Sequence, residues 1–139
     1  MTNPDIRKIL KETKTIAVVG LSSKEERASN AVCKFLQSKG YRVIPVNPNE
    51  KEVLGEKSYP DLKSILDPVD MVLVFRRPQV VPEIAQAAVD IGAKFFWMQD
   101  GAGNEDAAKM VSEAGLQVVM DDCAMRQYMH LDSQEPIGE

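Results

Sequence analysis

TIAVVGLSSKEERASN (residues 15–30) begins with a β-branched run, apolar from Ile16 to Val19, that ends in Gly20. A strand without a polar face belongs at the centre of a parallel sheet covered on both sides. The glycine, the polar loop and the helix that follows have the outline of a nucleotide-binding turn. The fingerprint G-x-G-x-x-G is nevertheless missing. After Gly20 come Leu21, Ser22, Ser23 and a group of charges, so one glycine, three serines and an arginine stand where a dinucleotide calls for three glycines.

Outward from this segment, strand-like and helix-like stretches alternate with no linker and no low-complexity run. Asn3 and Pro4 suit the start of a helix that runs to about Glu12. Val32, Phe35 and Leu36 form an i, i+3, i+4 stripe on a helix that Gly40 ends. YRVIPV (41–46), MVLVF (71–75), KFFWMQ (94–99) and QVVM (117–120) read as strands. Between the second and third of these, EKEVLGEKSYPDLKSIL suggests a short edge strand or turn and a brief helix. Pro82 and Glu83 open a helix with Ile84, Ala87, Ala88 and Ile91 facing inward. Asn104 caps another that stops at Gly115, and CAMRQYMHL forms a closing helix. The pattern predicts one α/β domain over residues 1–131, with 132–139 as a flexible tail.

With right-handed crossovers, the five main strands take the order 2-1-3-4-5 in a three-layer, doubly wound parallel sheet, with a short extra strand possible beside 41–46. Ligands of such sheets bind beyond the carboxyl ends of the strands, where the winding direction reverses. That point lies between strands 15–20 and 71–75. The residues around it are Gly20 to Asn30, Asn47 to Asn49, and Arg76 to Pro78.

Composition narrows the ligand. The chain has 139 residues, is 44% apolar and 27% charged, and carries a net charge of −4 with the two signs interspersed. A nucleic-acid or membrane surface would need a concentrated basic face. Cys33 and Cys123 are far apart and form no C-x-x-C, so neither a zinc site nor a disulfide framework is expected. MTNPDIRKIL lacks the apolar core of a signal peptide, and the expectation is a reduced cytoplasmic protein. NAD is disfavoured twice, by the missing glycines and by VNPN, which ends the second strand with no carboxylate at its tip. What the loop offers is hydroxyls and positive charge. Ser22, Ser23 and Ser29 suit phosphate oxygens, the helix start near Ser29 presents free N–H groups, and Arg27 can bind an anion in bidentate fashion. Arg76 and Arg77 approach the same point from the neighbouring strand, although adjacent residues point in different directions.

GLSSKEERASNAV, YRVIPVNPN, EVLGEKSYPDL, DMVLVFRRP, IGAKFFWMQDG and NEDAAKMVSEAGLQVVMDDC together resemble the small stand-alone CoA-binding proteins, relatives of the nucleotide-binding domain of the succinyl-CoA synthetase α subunit. The resemblance covers roughly residues 5–131. It implies a Rossmann-like fold that binds coenzyme A or an acyl-CoA as a small-molecule ligand, with no established catalytic activity of its own; it assigns no protein partner. It places phosphates near Ser22, Ser23, Arg27 and Ser29, with Gly20 and Asn30 counted among the cofactor-binding residues. Adenine or ribose would lie by Pro45, Asn47 and Pro48, with Phe75 and Arg76 as the opposite wall and Arg77 a further cofactor-binding candidate. The chain departs from the family at WMQDGAGN, with Asp100 and Ala102, and at Asp121–Asp122–Cys123, where relatives often read D-R-C. A carboxylate facing inward there would weaken an anion site. Two other readings stay open: an NADP-type oxidoreductase, and a partner-dependent subunit of an acyl-CoA synthetase-like enzyme. No catalytic constellation is visible. His130, the single histidine, sits in a weakly patterned segment and reads as a helix residue, and Cys33 reads as core. Cys123 reads as structural, since Asp121 and Asp122 would oppose the thiolate it needs to react with the CoA thiol. The same two carboxylates lack the further ligands a metal requires.

Overall fold

The computed structural model describes residues 4–138. In chain order its elements are α1 (Ile6–Glu12), β1 (Thr15–Val19), α2 (Ala28–Ser38), β2 (Arg42–Val46), a hairpin of β3 (Glu52–Val53) and β4 (Glu56–Lys57), β5 (Met71–Val74), α3 (Val81–Asp90), β6 (Phe95–Met98), α4 (Glu105–Glu113), β7 (Gln117–Met120) and α5 (Ala124–Gln134). The main sheet is parallel throughout and ordered β2-β1-β5-β6-β7, the expected 2-1-3-4-5 once the separate hairpin is left out of the count. This is a Rossmann-like α/β fold.

The period-2 alternation of strand side chains divides the interior into two cores. Ile16, Val18, Val43, Met71, Leu73, Phe95, Trp97 and Val119 point to the face covered by α1, α2 and α5. Ala17, Val19, Ile44, Val46, Val72, Val74, Phe96 and Met98 point to the face covered by α3 and α4. The crossover after β1 therefore lies on one face and those after β5 and β6 on the other. The winding reverses between β1 and β5, as the sequence predicts.

Several elements differ from expectation. The Asn3 cap falls outside the described residues; α1 starts at Ile6, with the Asp5 carboxylate accepting from the Lys8 N–H at 3.1 Å. The inward face of α3 centres on Val81, Ala85 and Ala88, while Ile84, Ala87 and Ile91 are only partly buried against the same core. Ala85 and Ala88 of α3 are buried in the same core as Ala107 and Ala108 of α4. The extra strand beside β2 shrinks to one parallel bridge between Val46 and Tyr59. Pro45 belongs to that edge: its carbonyl accepts from the Tyr59 N–H at 3.0 Å, so its nitrogen, which has no proton to give, also faces outward. Among the described residues no helix is long and apolar enough to cross a membrane.

Residues 132–138, expected as a flexible tail, have definite packing. Helix α5 continues to Gln134, Arg7 donates to the carbonyls of Leu131 and Glu135 at 2.7 and 2.8 Å, and Ile137 lies in the first core with 7% of its surface exposed. The Ile137 N–H donates to the Asp132 carboxylate, which turns the chain back on the helix. An isolated isoleucine in a polar segment carries no period from which this packing could be read. Ile137→Ala is expected to lower the unfolding free energy by about 2 kcal/mol, the low end for a buried isoleucine at the edge of a core. Urea unfolding monitored through the buried Trp97 measures it.

Candidate functional site

Beyond the carboxyl ends of β1, β2 and β5, the backbone crosses itself closely. Gly20 has φ +93°, its N–H donates to the Val46 carbonyl at 2.9 Å, and the Phe75 N–H donates to the Val19 carbonyl at 2.9 Å. A Cβ at position 20 would collide with the Phe75 carbonyl oxygen and come within 3.0 Å of Arg76 Cδ. A single glycine is thus required by a crossing of strand tips rather than by a pyrophosphate.

The loop that follows is braced from both sides. Leu21 is fully buried, and its carbonyl accepts from Asn47 Nδ2 at 3.0 Å. The Ser22 carbonyl accepts from Asn30 Nδ2 at 2.9 Å, while the Ser22 N–H donates to Ser29 Oγ at 3.1 Å. The Lys24 N–H donates to Ser22 Oγ, and the Asn49 N–H to Asn47 Oδ1. The Ser23 N–H donates to Glu50 Oε2 at 2.8 Å. The Ser23 hydroxyl and N–H, aided by Lys24, hold the Glu50 carboxyl below the usual carboxylate range. It stays ionised at neutral pH.

Two cavities flank this crossing. A polar one of about 440 Å³ is lined by Gly20, Ser22, Lys24, Arg27, Ser29 and Asn47, with Ala28, Asn49, Glu50 and Phe75 completing the wall. A more apolar one of about 250 Å³ lies between Val19, Val46, Pro48, Pro60, Leu62 and Ile84, with Arg76, Asp61 and Glu83 at its polar margin. A third, of about 370 Å³, opens among Lys11, Lys14, Lys39 and Arg42 at the opposite end of the sheet. Its cations cluster where α1 and α2 end, and they offset the negative carbonyl termini of those helices. Arg42 there is also paired with Asp67 at 2.8 Å.

The sequence-predicted residues separate into four groups. Gly20, Ser22, Arg27, Ser29 and Phe75 line the polar cavity, and Ser23 reaches it through its bond to Glu50. Asn30, buried, and Asn47 hold the loop carbonyls and act as braces. Pro48 and Arg76 both line the apolar cavity rather than the polar one beside the serine loop. Pro45 is buried in β2 and Arg77 precedes the turn Pro78–Val80; neither lines these cavities. Lys24, Glu50, Leu62 and Ile84 escaped the sequence reading. Glu50 lies three positions beyond Asn47, one past the tip searched for a carboxylate, and its signal was there.

The aspartates at the departures from the family pattern are engaged elsewhere. Arg126 binds Asp100 through both nitrogens, at 2.9 and 3.1 Å, and reaches Asp122 at 2.7 Å; Gln127 also donates to Asp122. The guanidinium keeps the Asp100 carboxyl below its ordinary range. Asp121, at φ +54°, accepts from the Gly103 N–H. None of the three lines the polar cavity. His130 is exposed on α5, and the buried Cys123 occupies the N-cap position of that helix without a side-chain capping bond. Burial raises the Cys33 thiol far above its ordinary value and leaves it unreactive.

The chain is similar to known proteins over most of its length. A family model described as CoA binding domain matches residues 14–129. The chain is 45% identical over 126 residues to the uncharacterized protein YneT of Bacillus subtilis, covering 88% of this chain and 93% of that one. It is 32% identical over 110 residues to an ADP-forming acetate–CoA ligase II of Archaeoglobus fulgidus, covering 78% of this chain but only 16% of the ligase. A solved structure of a hypothetical protein from Pyrococcus horikoshii superimposes with a TM-score of 0.90 at 44% identity, over 94% of this chain and 92% of the other.

The strand-tip crossing is testable without a ligand. Gly20→Ala combines a left-handed backbone with a steric clash and should cost about 2–3 kcal/mol. Gly92→Ala, at φ +76° but with open space around it, should cost only about 1 kcal/mol. Comparative urea unfolding separates the two contributions.

Proposed function

We propose, from the premise that this chain belongs to the CoA-binding domain family, that it binds coenzyme A or an acyl-CoA across the two cavities as a non-catalytic module. The observation that carries this reading is the adjacency of a polar and an apolar cavity at one strand-tip crossing. CoA has the matching division: a pyrophosphate and a 3′-phosphate joined to a flat adenine and an apolar arm. Ser22, Lys24, Arg27 and Ser29 supply hydroxyls, two cations and the start of α2 to the phosphates. Pro48 and Arg76 would enclose the adenine, with the guanidinium free to stack on its face.

The non-catalytic part of the reading rests on the chemistry of the lining. Neither cavity presents a histidine or cysteine, and Ser22 and Ser29 of the polar one accept from backbone N–H groups, while the Ser23 hydroxyl meets only the Glu50 carboxylate. The acetate–CoA ligase similarity extends to a small part of that enzyme. Ligase chemistry would therefore require groups supplied by other domains or chains.

Isothermal calorimetry tests the ligand. CoA is expected to bind more tightly than dephospho-CoA by about one to two decades, the loss of one charge-assisted contact of roughly 1.5–3 kcal/mol. NAD should bind far more weakly still. Equal affinities for CoA and dephospho-CoA would remove the 3′-phosphate from the site.

Arg27 separates ligand binding from folding. It occupies the N-cap position of α2 but makes no side-chain capping bond, and it is exposed. Arg27→Ala should weaken CoA binding by about tenfold, ~1.4 kcal/mol. The ligand-free protein should stay within about 0.5 kcal/mol of the original stability. Thermal shift with and without CoA reads both quantities. A lowered apo melting temperature with an intact CoA shift would make Arg27 structural.

A further inference from the structure

The loop between β1 and α2 already has an anion on it. The Ser23 N–H, the natural partner of a ligand phosphate in a strand–loop–helix site, donates to Glu50 Oε2 at 2.8 Å. Glu50 reaches it from 27 positions away, across the polar cavity whose wall it shares with Lys24 and Arg27. The carboxylate is not needed there to neutralise a buried cation. Both lysine and arginine are exposed, and neither makes an ion pair with it among the described residues. Nor does it build the core.

We infer that Glu50 is a specificity residue of the proposed CoA site: a tethered internal anion that keeps free phosphate and pyrophosphate off the Ser22–Arg27 loop and yields only to a ligand anchored in the neighbouring apolar cavity as well. The inference rests on the proposed site but concerns selection within it. A carboxylate held beside its donor competes at an effective concentration of order millimolar or above. A simple anion must displace it for the same few contacts and gains almost nothing. A ligand that also fills the cavity between Pro48, Leu62 and Ile84 brings its phosphate to the loop as an intramolecular event and wins the exchange. Once displaced, Glu50 faces solvent, where its charge is hydrated at little cost. Local charge agrees: with Glu50 seated, its negative charge offsets one of the two cations of the cavity, and with Glu50 released both face the ligand.

The test compares the original protein with Glu50→Gln and Glu50→Ala, using pyrophosphate and CoA as separate probes. Gln keeps an acceptor for the Ser23 N–H without the charge, and Ala removes both. The readouts are calorimetry and the Ser23 amide resonance in ¹⁵N-labelled protein. Pyrophosphate should leave that amide unmoved in the original protein at low millimolar concentration. It should bind both variants at least about tenfold more tightly and shift the amide. CoA affinity should rise by roughly threefold to tenfold in both. If Glu50→Gln binds CoA more weakly, the carboxylate is a ligand contact and the inference is overturned. Identical pyrophosphate affinity in all three proteins also overturns it. Failure of the original protein to bind CoA would instead refute the proposed function, since the pyrophosphate comparison reads Glu50 independently of CoA.

Discussion

The structure depends on β1 being hydrogen-bonded on both sides and buried on both faces. Its two neighbours, β2 and β5, are in register with it to the last residue. The ladder even runs one step beyond, through Gly20 to Val46 and Phe75 to Val19. Because the strand is covered above and below, helices must depart from it in opposite senses, and the chain reverses its winding beside it. That reversal opens the space at the strand tips. A side chain at position 20 would close the crossing, so the fold and the cavity impose the same requirement on one residue.

Division of labour in the loop follows from the cost of leaving backbone groups unpaired. The Leu21 and Ser22 carbonyls and the N–H groups of Ser22, Ser23 and Lys24 are satisfied by Asn47, Asn30, Ser29, Glu50 and Ser22. Residues that look like ligand donors in a one-dimensional reading are therefore partly occupied with holding the loop. Side-chain hydroxyls, the Lys24 and Arg27 cations and the opening turn of α2 are left for a ligand. A loop braced in this way is already ordered before binding, which lowers the entropy lost when a ligand arrives.

Beyond the carboxyl ends of β6 and β7, charges are present without lining the polar cavity. Asp100 and Asp122 converge on Arg126, an i, i+4 contact and a longer one closing the same network. Gln99, buried, accepts from the Ala124 N–H and ties the tip of β6 to the start of α5. Two of the carboxylates that depart from the family pattern, Asp100 and Asp122, thus fasten a helix through Arg126. Trp97, inward on β6, adds its indole N–H to the Asp122 carbonyl at 2.9 Å. Solvent exposure of the ion pairs means they orient α5 more than they stabilise it.

The order of strands, the two covered faces, the reversal beside β1 and the segments that meet there were all legible in the residues. They follow from a two-residue side-chain period and from the handedness of crossovers, both carried by local pattern. Gly20, Ser22, Arg27, Ser29 and Phe75 could be assigned to one place for the same reason: strand tips are known once strand order is known. The inward turn of Asn30 and Asn47, the course of Arg76 to the opposite cavity, the burial of Ile137 and the return of Glu50 to Ser23 were decided only by tertiary structure. Each depends on which distant backbone group is unpaired or which distant surface is uncovered. No periodicity in the chain records that, because the partner lies across the fold from the residue that meets it.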